Sequence, residues 1–367
     1  MSTKEVPSIA VALVDRNGLI WSQSWGFADA DQRKPVTADT VYRAGSVSKL
    51  LTDVAIMRLV EAGRIDLDAP VIRYLPSFHP RNPFGGSITL RQLMTHRSGL
   101  VREPPRGHYF DTDAKGQADT VLSLNDTMLV AKPGAVTKYS NAGVAVIGEV
   151  LAAVTGKPYE QAVRDLVLAP LGMSASSMTL APVKDRLAYA EMASFDGPRF
   201  AAVPFDLGTP AAGNLYTTAG DLGRFATAML DRGALLLKPA TIDEMWRVQY
   251  PANNASRNFG LGFIVGDLDG ARMVGHSGAV YGFATELQLL PEAGIGVIVF
   301  STLDSGVSSS RIARYALQTW RDALAGKPVA PYELGSPVNG DEAKRLSGWF
   351  SDGYASVGAR VYAGQLA

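Results

Sequence analysis

The sequence predicts an α/β fold of the α+β kind, with an antiparallel sheet from both chain ends, flanking helices and a helical lobe inserted at about residues 50–250. Three observations lead to this prediction. Short apolar runs joined by tight turns occur near both ends of the 367-residue chain, and the middle shows helical spacing of apolar residues broken by Pro and Gly. Strands separated by a long helical stretch favour one sheet with a lobe inserted between its halves.

The first predicted element is a β-hairpin. Two apolar runs, residues 9–14 and 19–25, are joined by the sequence DRNG. A glycine in so short a connection is typical of a hairpin turn. We therefore expect these two strands to be neighbours in the sheet.

The middle of the chain carries the predicted helices. In each segment the apolar residues recur at helical spacing, and Gly or Pro lies near the ends. The segments are residues 50–62, 90–95, 142–154, 159–167, 219–230 and 241–248. A cleft between this lobe and the sheet is the expected place for a functional site.

Three further strands and a last helix complete the prediction. The strands cover residues 261–265, 285–290 and 296–302, with PEAG as the turn between the last two, and the helix covers 308–324. The domain organisation expected from these patterns is one domain over 1–327 and a Pro- and Gly-rich linker over 328–340. Residues 341–367 alternate like short strands and are expected to begin a small, truncated β domain.

The composition disfavours several classes of function. Lys plus Arg equals Asp plus Glu at 35 each, which argues against nucleic acid or an anionic membrane as partner and favours a small neutral substrate. The absence of Cys excludes disulfides, thiolate metal ligands and a cysteine nucleophile. No stretch reaches the roughly 18 apolar residues of a membrane span. As written the chain would stay in the cytoplasm, and with an N-terminal signal removed it would be periplasmic or secreted.

The sequence AGSVSKLL, residues 44–51, starts the first helix and contains an unexpected lysine. A cation at Lys49 faces the positive end of the helix dipole, at a cost of about 0.3–1 kcal/mol. Ser46 lies three residues earlier, so both side chains share one face and the amine can reach the hydroxyl. A neutral lysine can activate a serine nucleophile, and the helix start disfavours the charged amine. The alternative is a serine cap beside a solvated lysine.

Two further motifs carry polar residues suited to the same chemistry. KPGAVTKYSNAG places Tyr139 and Asn141 at the start of a helix, where they can move protons and hold a carbonyl, or serve only as a packing residue and an N-cap. VGHSGAVYGF places His276, Ser277 and Gly278 on or beside a strand, with a glycine that permits close backbone approach.

The three motifs, in this order, resemble the S-x-x-K, Y-x-N and K/H-[ST]-G set of the serine β-lactamase and penicillin-binding-protein family. The class C β-lactamase and family VIII carboxylesterase branches are the most similar. The resemblance covers about residues 6–324 and includes LMTHRSGL and AAGNLYTTAGDLGRF. It implies a β-lactamase-like fold for the domain over 1–327, in agreement with the order of strands and helices.

The resemblance implies a catalytic role for several of these residues. Ser46 would be the acylated nucleophile, Lys49 its base, and Tyr139 a proton shuttle or second base. The backbone N–H groups of Ser46 and Ala279 would form the oxyanion hole. No cofactor is implied.

The resemblance also implies which residues bind the substrate. Asn141 would bind the substrate and the lysine, and His276 would line the pocket opposite Tyr139, next to Gly278. Many β-lactamases of the family carry lysine where this chain has His276, and that cation binds the carboxylate of the drug. The histidine therefore weakens the expectation of carboxylate-bearing substrates.

We expect a serine hydrolase that forms an acyl-enzyme, with carboxylesterase activity on short or medium acyl esters. The alternatives are a β-lactamase or D-alanyl-D-alanine carboxypeptidase and, in another class, a penicillin-binding sensor or binding protein without turnover. The substrate would be a small ester or amide, and the sequence leaves the oligomeric state open.

Other readings of the motifs are less favourable. GHSGA resembles a nucleophile elbow around Ser277, but that motif needs a following helix and a later histidine, and all four histidines precede it. A Walker A loop needs Gly before the lysine and Ser or Thr after it, where this chain has Ser48 and Leu50. No metal is expected, because H-E-x-x-H is missing and the histidines are scattered. His79 and His96 are expected to be structural.

Overall fold

A computed structural model describes residues 6–111, 113, 115–192, 198–251, 258–303, 306–329, 331, 340–351, 356–359, 361–362 and 365–366. The chain divides into two units, Met1–Gly326 and Lys327–Ala367. The strands of the first unit are β1 (Ser8–Asp15), β2 (Gly18–Gly26), β3 (Tyr42–Arg43), β4 (Glu191–Met192), β5 (Phe200–Ala201), β6 (Tyr216–Thr217), β7 (Asn258–Phe259), β8 (Ile264–Leu268), β9 (Ala271–Val280), β10 (Phe283–Leu290) and β11 (Ile295–Ser301).

The α-helices of this unit are α1 (Ser48–Glu61), α2 (Leu90–Met94), α3 (Gln117–Ser123), α4 (Asn141–Thr155), α5 (Tyr159–Val163), α6 (Pro210–Gly213), α7 (Ala219–Leu230), α8 (Pro239–Trp246) and α9 (Gly306–Leu324). Short 3₁₀ turns cover Gly45–Val47, Val71–Arg73, Leu124–Asp126 and Ala181–Arg186, and a π-helical turn covers Arg164–Leu168.

Both chain ends contribute to one seven-stranded sheet. Its order is β2-β1-β11-β10-β9-β8-β7, and every neighbouring pair is antiparallel. β1 lies beside β11 in a register that runs from Ile9 opposite Ser301 to Asp15 opposite Ile295. The predicted fold class, with its antiparallel sheet from both ends and its inserted helices, is confirmed.

The two faces of the sheet are covered by different helices. On β11, Val297 and Val299 pack in a cluster with Leu317 of α9, whereas Ile298 and Phe300 belong to the main core on the other face. This alternation follows from the two-residue period of a strand. The main core also contains the buried residues of α1, α4 and α7, so the helical lobe and the sheet share one apolar interior.

Several predicted bounds need correction. The strand expected at 261–265 begins only at Ile264 and continues to Leu268 as β8. Gly260 N–H bonds to Phe263 O and Gly262 adopts a φ of +80°, which makes a turn between β7 and β8. The helix expected over 159–167 ends at Val163 and continues as the π-helical turn. α8 begins two residues earlier than expected, since Pro239 occupies its first position, where proline is favoured.

The second unit contains α10 (Gly340–Arg345) and the short strands β12 (Gly348–Ser351), β13 (Ser356–Ala359), β14 (Val361–Tyr362) and β15 (Gln365–Leu366). β12 pairs with β13 and β14 with β15, both antiparallel. Of the predicted linker over 328–340, residues 330 and 332–339 lie outside the described residues. In the described parts of the chain, no helix combines the length and apolar character that crossing a membrane requires.

Candidate active site

The first predicted site residue, Ser46, lies in a 3₁₀ turn that leads directly into α1. This turn packs tightly against β9. A Cβ added at Gly278 would lie 2.1 Å from Ala44 O, and one added at Gly45 would lie 2.8 Å from Ala279 N. Only glycine permits this backbone approach, so Gly45 and Gly278 bring Ser46 beside Ala279.

Lys49 is buried at the start of α1, with 1% of its surface exposed. Its Nζ donates to Ser46 Oγ at 2.9 Å and to Ala212 O at 2.8 Å. Nζ also lies 5.0 Å from the centre of the Tyr139 ring. The alternative of a solvated surface lysine is therefore wrong, because the helical lobe covers this face of α1.

One turn further along α1, Asp53 is also fully buried. Burial, the largest effect, raises the pKa of this carboxyl well above its usual range, and the charge of Lys49 lowers it only in part. Oδ1 of Asp53 has no hydrogen-bond partner among the described residues, and Gly262 packs against the carboxyl group. Burial therefore disfavours the charged form of the Asp53 carboxyl, which is the form that would pair with a lysine ammonium.

Tyr139 precedes α4 and forms part of the pocket wall. Its ring centre lies 4.1 Å from that of His96 and 6.1 Å from that of His276. Within the described part of the chain, no hydrogen bond joins its hydroxyl to Ser46 or Lys49, so its proton-transfer role stays a prediction.

The start of α4 differs from the expectation for Asn141. The N-cap is Ser140, whose Oγ accepts from Gly143 N at 2.8 Å. Asn141 Nδ2 donates to Glu103 Oε1 at 2.6 Å, and Asn141 Oδ1 is buried with no partner among the described residues. The implied hydrogen bond between Asn141 and Lys49 is thus absent from the described contacts, because the carboxylate orients the amide.

His96 is buried beside Tyr139. Its Nδ1 accepts from Ser140 N–H at 3.2 Å, so this nitrogen carries no proton. Burial, followed by the charges of Lys49, His276 and Arg102, holds the pKa of His96 well below its usual value. The contacts agree with the structural role expected for His96, and His79 is exposed and is not among the residues of the pocket.

β9 supplies the opposite wall of the site. His276 is buried, and its Nδ1 donates to Ser277 O at 2.5 Å. Ser277 lies within β9, opposite Glu286 of β10, so it is not at the strand–turn–helix corner of a nucleophile elbow.

The site residues surround a pocket of about 1000 Å³. Its wall includes residues that sequence reasoning missed: Arg102, Glu103, Tyr109, Phe110, Phe259 and Arg311. For Arg102 and Glu103, the only feature of the sequence that could have indicated a role in the site is that they are adjacent charged residues in VREPPR. The described residues contain no group of three or more His, Cys, Asp or Glu placed to hold a metal ion.

A serine in contact with a buried lysine, at a helix start that faces a strand of an antiparallel sheet, defines a serine hydrolase of the Ser–Lys class. The family model described as Beta-lactamase matches residues 1–319. The chain belongs to this family, whose members related to it are serine hydrolases.

Three similar proteins illustrate the range of the family. Beta-lactamase-like protein 2 of Dictyostelium discoideum is 28% identical over 83% of this chain, and Esterase EstB of Burkholderia gladioli is 36% identical over 45% of it. The chain spans 57% of the length of the first and 45% of the second. The structure of the octameric penicillin-binding protein homologue from Pyrococcus abyssi has a TM-score of 0.80 and 27% identity, covering 97% of this chain and 82% of that one.

Other similar proteins include a D-alanyl-D-alanine carboxypeptidase/endopeptidase and a D-stereospecific amidohydrolase. The similar proteins thus include an esterase, a peptidase and an amidohydrolase, which cleave different bonds.

Proposed function

We propose that the chain is a carboxylesterase that forms an acyl-enzyme on Ser46. The observation that carries this proposal is the 2.9 Å contact between Lys49 Nζ and Ser46 Oγ, at a pocket large enough for a small ester. The similarity to Esterase EstB supports the ester substrate.

Acylation begins with the transfer of the Ser46 hydroxyl proton to an uncharged Lys49 amine. Ala212 O holds the amine in place, so its lone pair can face Oγ. Oγ then attacks the ester carbonyl. The negative charge that develops on the carbonyl oxygen is stabilised by the backbone N–H groups of Ser46 and Ala279.

Collapse of the tetrahedral intermediate breaks the bond to the alkoxide, which needs a proton. Tyr139 is the group proposed to relay that proton from Lys49, because its ring lies 5.0 Å from Nζ at the pocket wall. A water molecule then attacks the acyl-enzyme with the same groups acting in reverse.

The aromatic part of the pocket wall favours an apolar segment of the substrate. Tyr109 stacks on Tyr281 with ring centres 4.5 Å apart, and Phe110 and Phe259 line the same space. His276, at the position where many β-lactamases carry lysine, is buried and donates Nδ1–H to a backbone carbonyl. These features support an ester over a carboxylate-bearing β-lactam.

The test compares hydrolysis of p-nitrophenyl butyrate by the wild-type protein and by Ser46→Ala, Lys49→Met and Tyr139→Phe. We expect Ser46→Ala to be inactive and Lys49→Met to lose about 10³-fold in kcat/KM, because general base catalysis contributes about 10²–10⁴-fold. Tyr139→Phe should lose about 100-fold for the same reason. Lys157→Met, which removes an exposed lysine paired with Asp165, is the matched control and should keep full activity.

Activity that survives in Ser46→Ala would reject the nucleophile, and near-wild-type rates in Lys49→Met would reject the base. If the wild-type protein hydrolyses no ester, covalent labelling by a fluorescent penicillin separates the remaining functions. Labelling with turnover would indicate a β-lactamase, labelling without turnover a sensor or peptidase, and no labelling a binding protein.

A further inference from the structure

A narrow recess opens next to Ser46 and shares Tyr109 with the aromatic wall of the larger pocket. Its volume is about 20 Å³, and Ser46, Glu103, Asn141 and Thr209 are among the residues that line it. A space of this size holds a single group about as large as a water molecule. Since Ser46 lines the recess, a group bound there would belong to the part of the acyl chain next to the carbonyl.

Two acceptor atoms in the lining residues have no donor. Asn141 Nδ2 donates to Glu103 Oε1 at 2.6 Å, which fixes the amide orientation because a carboxylate oxygen only accepts. Glu103 Oε2 and Asn141 Oδ1 are both buried with no hydrogen-bond partner among the described residues. Buried acceptors without donors are unfavourable, so a ligand that supplies donors here is stabilised.

The cations near Glu103 do not neutralise it fully. Arg102 Nε lies 3.7 Å from Glu103 Oε1, beyond hydrogen-bond distance, and 67% of the Arg102 side chain is exposed. An ion pair this exposed is weak in water. Lys49 Nζ donates to Ser46 and Ala212 instead. The recess is therefore lined by a carboxylate and an amide that each keep one buried oxygen without a donor among the described residues.

We propose that this recess binds a primary ammonium group on the carbon next to the scissile carbonyl, so that the preferred substrates carry an α-aminoacyl group. The proposal rests on the proposed hydrolysis at Ser46 and narrows its substrate class. An ammonium group is close to water in size, has three N–H donors, and its charge complements Glu103. A neutral acyl group of the same shape would leave the oxygens of Glu103 and Asn141 without donors. Sites with buried polar groups discriminate strongly against substrates that leave those groups unpaired.

The test uses two esters that differ only in this group. In alanine methyl ester an ammonium replaces one methyl group of methyl isobutyrate. Hydrolysis is followed by pH-stat titration at about pH 6.5, where an α-amino group with a pKa of about 7.7–8.0 is mostly protonated. We expect kcat/KM for at least one enantiomer of the alanine ester to exceed that for the isobutyrate about tenfold or more, as for a buried charge-assisted hydrogen bond.

Two variants decide whether Glu103 causes this preference. Glu103→Gln keeps the shape and the oxygen that accepts from Asn141 but removes the charge, and we expect the ratio of the two kcat/KM values to fall about tenfold towards one. Glu160→Gln removes the same charge from an exposed position on α5 and should leave the ratio unchanged. A wild-type ratio near one, or an equal ratio in Glu103→Gln and wild type, overturns the proposal.

A binding measurement separates failure of this proposal from failure of the esterase function. Calorimetry with Ser46→Ala measures the affinity for both esters without turnover. Tighter binding of the alanine ester, lost when Glu103→Gln is added, supports the ammonium site even if the wild-type protein hydrolyses neither ester. Equal binding of the two esters overturns it even if p-nitrophenyl butyrate is hydrolysed.

Discussion

The starts of α1 and α4 both carry site residues, but the two helix starts are stabilised in different ways. α4 is capped by its own sequence, since Ser140 Oγ accepts from Gly143 N–H at 2.8 Å. α1 has no side-chain cap. Its first turn is held by distant segments: Leu215 N–H donates to Ser48 Oγ at 2.8 Å, and Gly278 packs on the preceding turn.

This difference has a chemical reason. A side-chain cap satisfies the N–H groups at a helix start, whereas an oxyanion hole needs such groups to face the substrate. The turn at Ser46 is stabilised by backbone packing against β9 rather than by a cap, which suits a nucleophile. The start of α4 contributes side chains, not backbone N–H groups, to the pocket. A side-chain cap on its N–H groups therefore does not interfere with substrate binding.

Among changes that test how the two helix starts are stabilised, the largest effect is expected from Gly278→Ala, which alters the tertiary support of α1. The new Cβ would lie 2.1 Å from Ala44 O and 3.0 Å from Ser46 N, so the turn must move. A shift of about 1 Å costs about 100-fold in kcat/KM. Overpacking also lowers the free energy of unfolding by about 1–3 kcal/mol. Ester hydrolysis and urea unfolding measure the two quantities.

Gly266→Ala is the matched control for this variant. Gly266 lies in β8. A Cβ added there would have Met273 Cε as its nearest neighbour, at 3.7 Å, which is an ordinary van der Waals contact. It should retain activity. If Gly278→Ala behaves like Gly266→Ala, the packing of β9 does not position Ser46.

A second prediction concerns pH and the start of α4, where His96 accepts from Ser140 N–H. The pKa of His96 is held well below its usual value, mainly by burial, so the unfolded chain binds a proton that the native state does not. The stability from this group is present above about pH 6.5 and is lost as pH falls. His96→Asn keeps an acceptor and tolerates the φ of +57° at this position.

We expect the wild-type protein to lose about 1 kcal/mol more of its free energy of unfolding than His96→Asn between pH 6.5 and 5.5. Urea unfolding at both pH values gives this difference. Because the other three histidines are present in both proteins, their contributions cancel. Parallel changes in the two proteins would contradict the assignment of a neutral, buried His96.

The smallest effect is expected from Ser140→Ala, which removes the local cap of α4. Loss of an N-cap lowers the free energy of unfolding by about 1 kcal/mol. Thr218→Ala is the control, because Thr218 caps α7 by accepting from Asp221 N–H at 3.1 Å and lies outside the pocket. Thermal unfolding should show similar losses for both variants. If Ser140→Ala lost more activity than Gly278→Ala, the start of α4 would position the site more strongly than the start of α1, which contradicts this prediction.

Local patterns predicted the elements more accurately than the contacts between them. α7 has the bounds expected from periodicity, and Lys49 reaches Ser46 as three-residue spacing on a helix requires. The strand expected at 261–265 starts three residues later, at Ile264, because Gly262 makes a turn inside the apolar run. Glu103 was missed because one carboxylate in a loop has no periodic signal.

The sequence by itself determined where most of the longer helices and strands lie and which serine and lysine meet, because these depend on neighbours a few residues apart. Only the tertiary structure decided that β1 lies beside β11, where Ser8 N–H donates to Thr302 Oγ1 across 294 residues, and that β9 packs against Ser46. It also decided that Asn141 pairs with Glu103 rather than with Lys49. These contacts arise from burying whole faces of the sheet and lobe, and no short stretch of sequence contains that information.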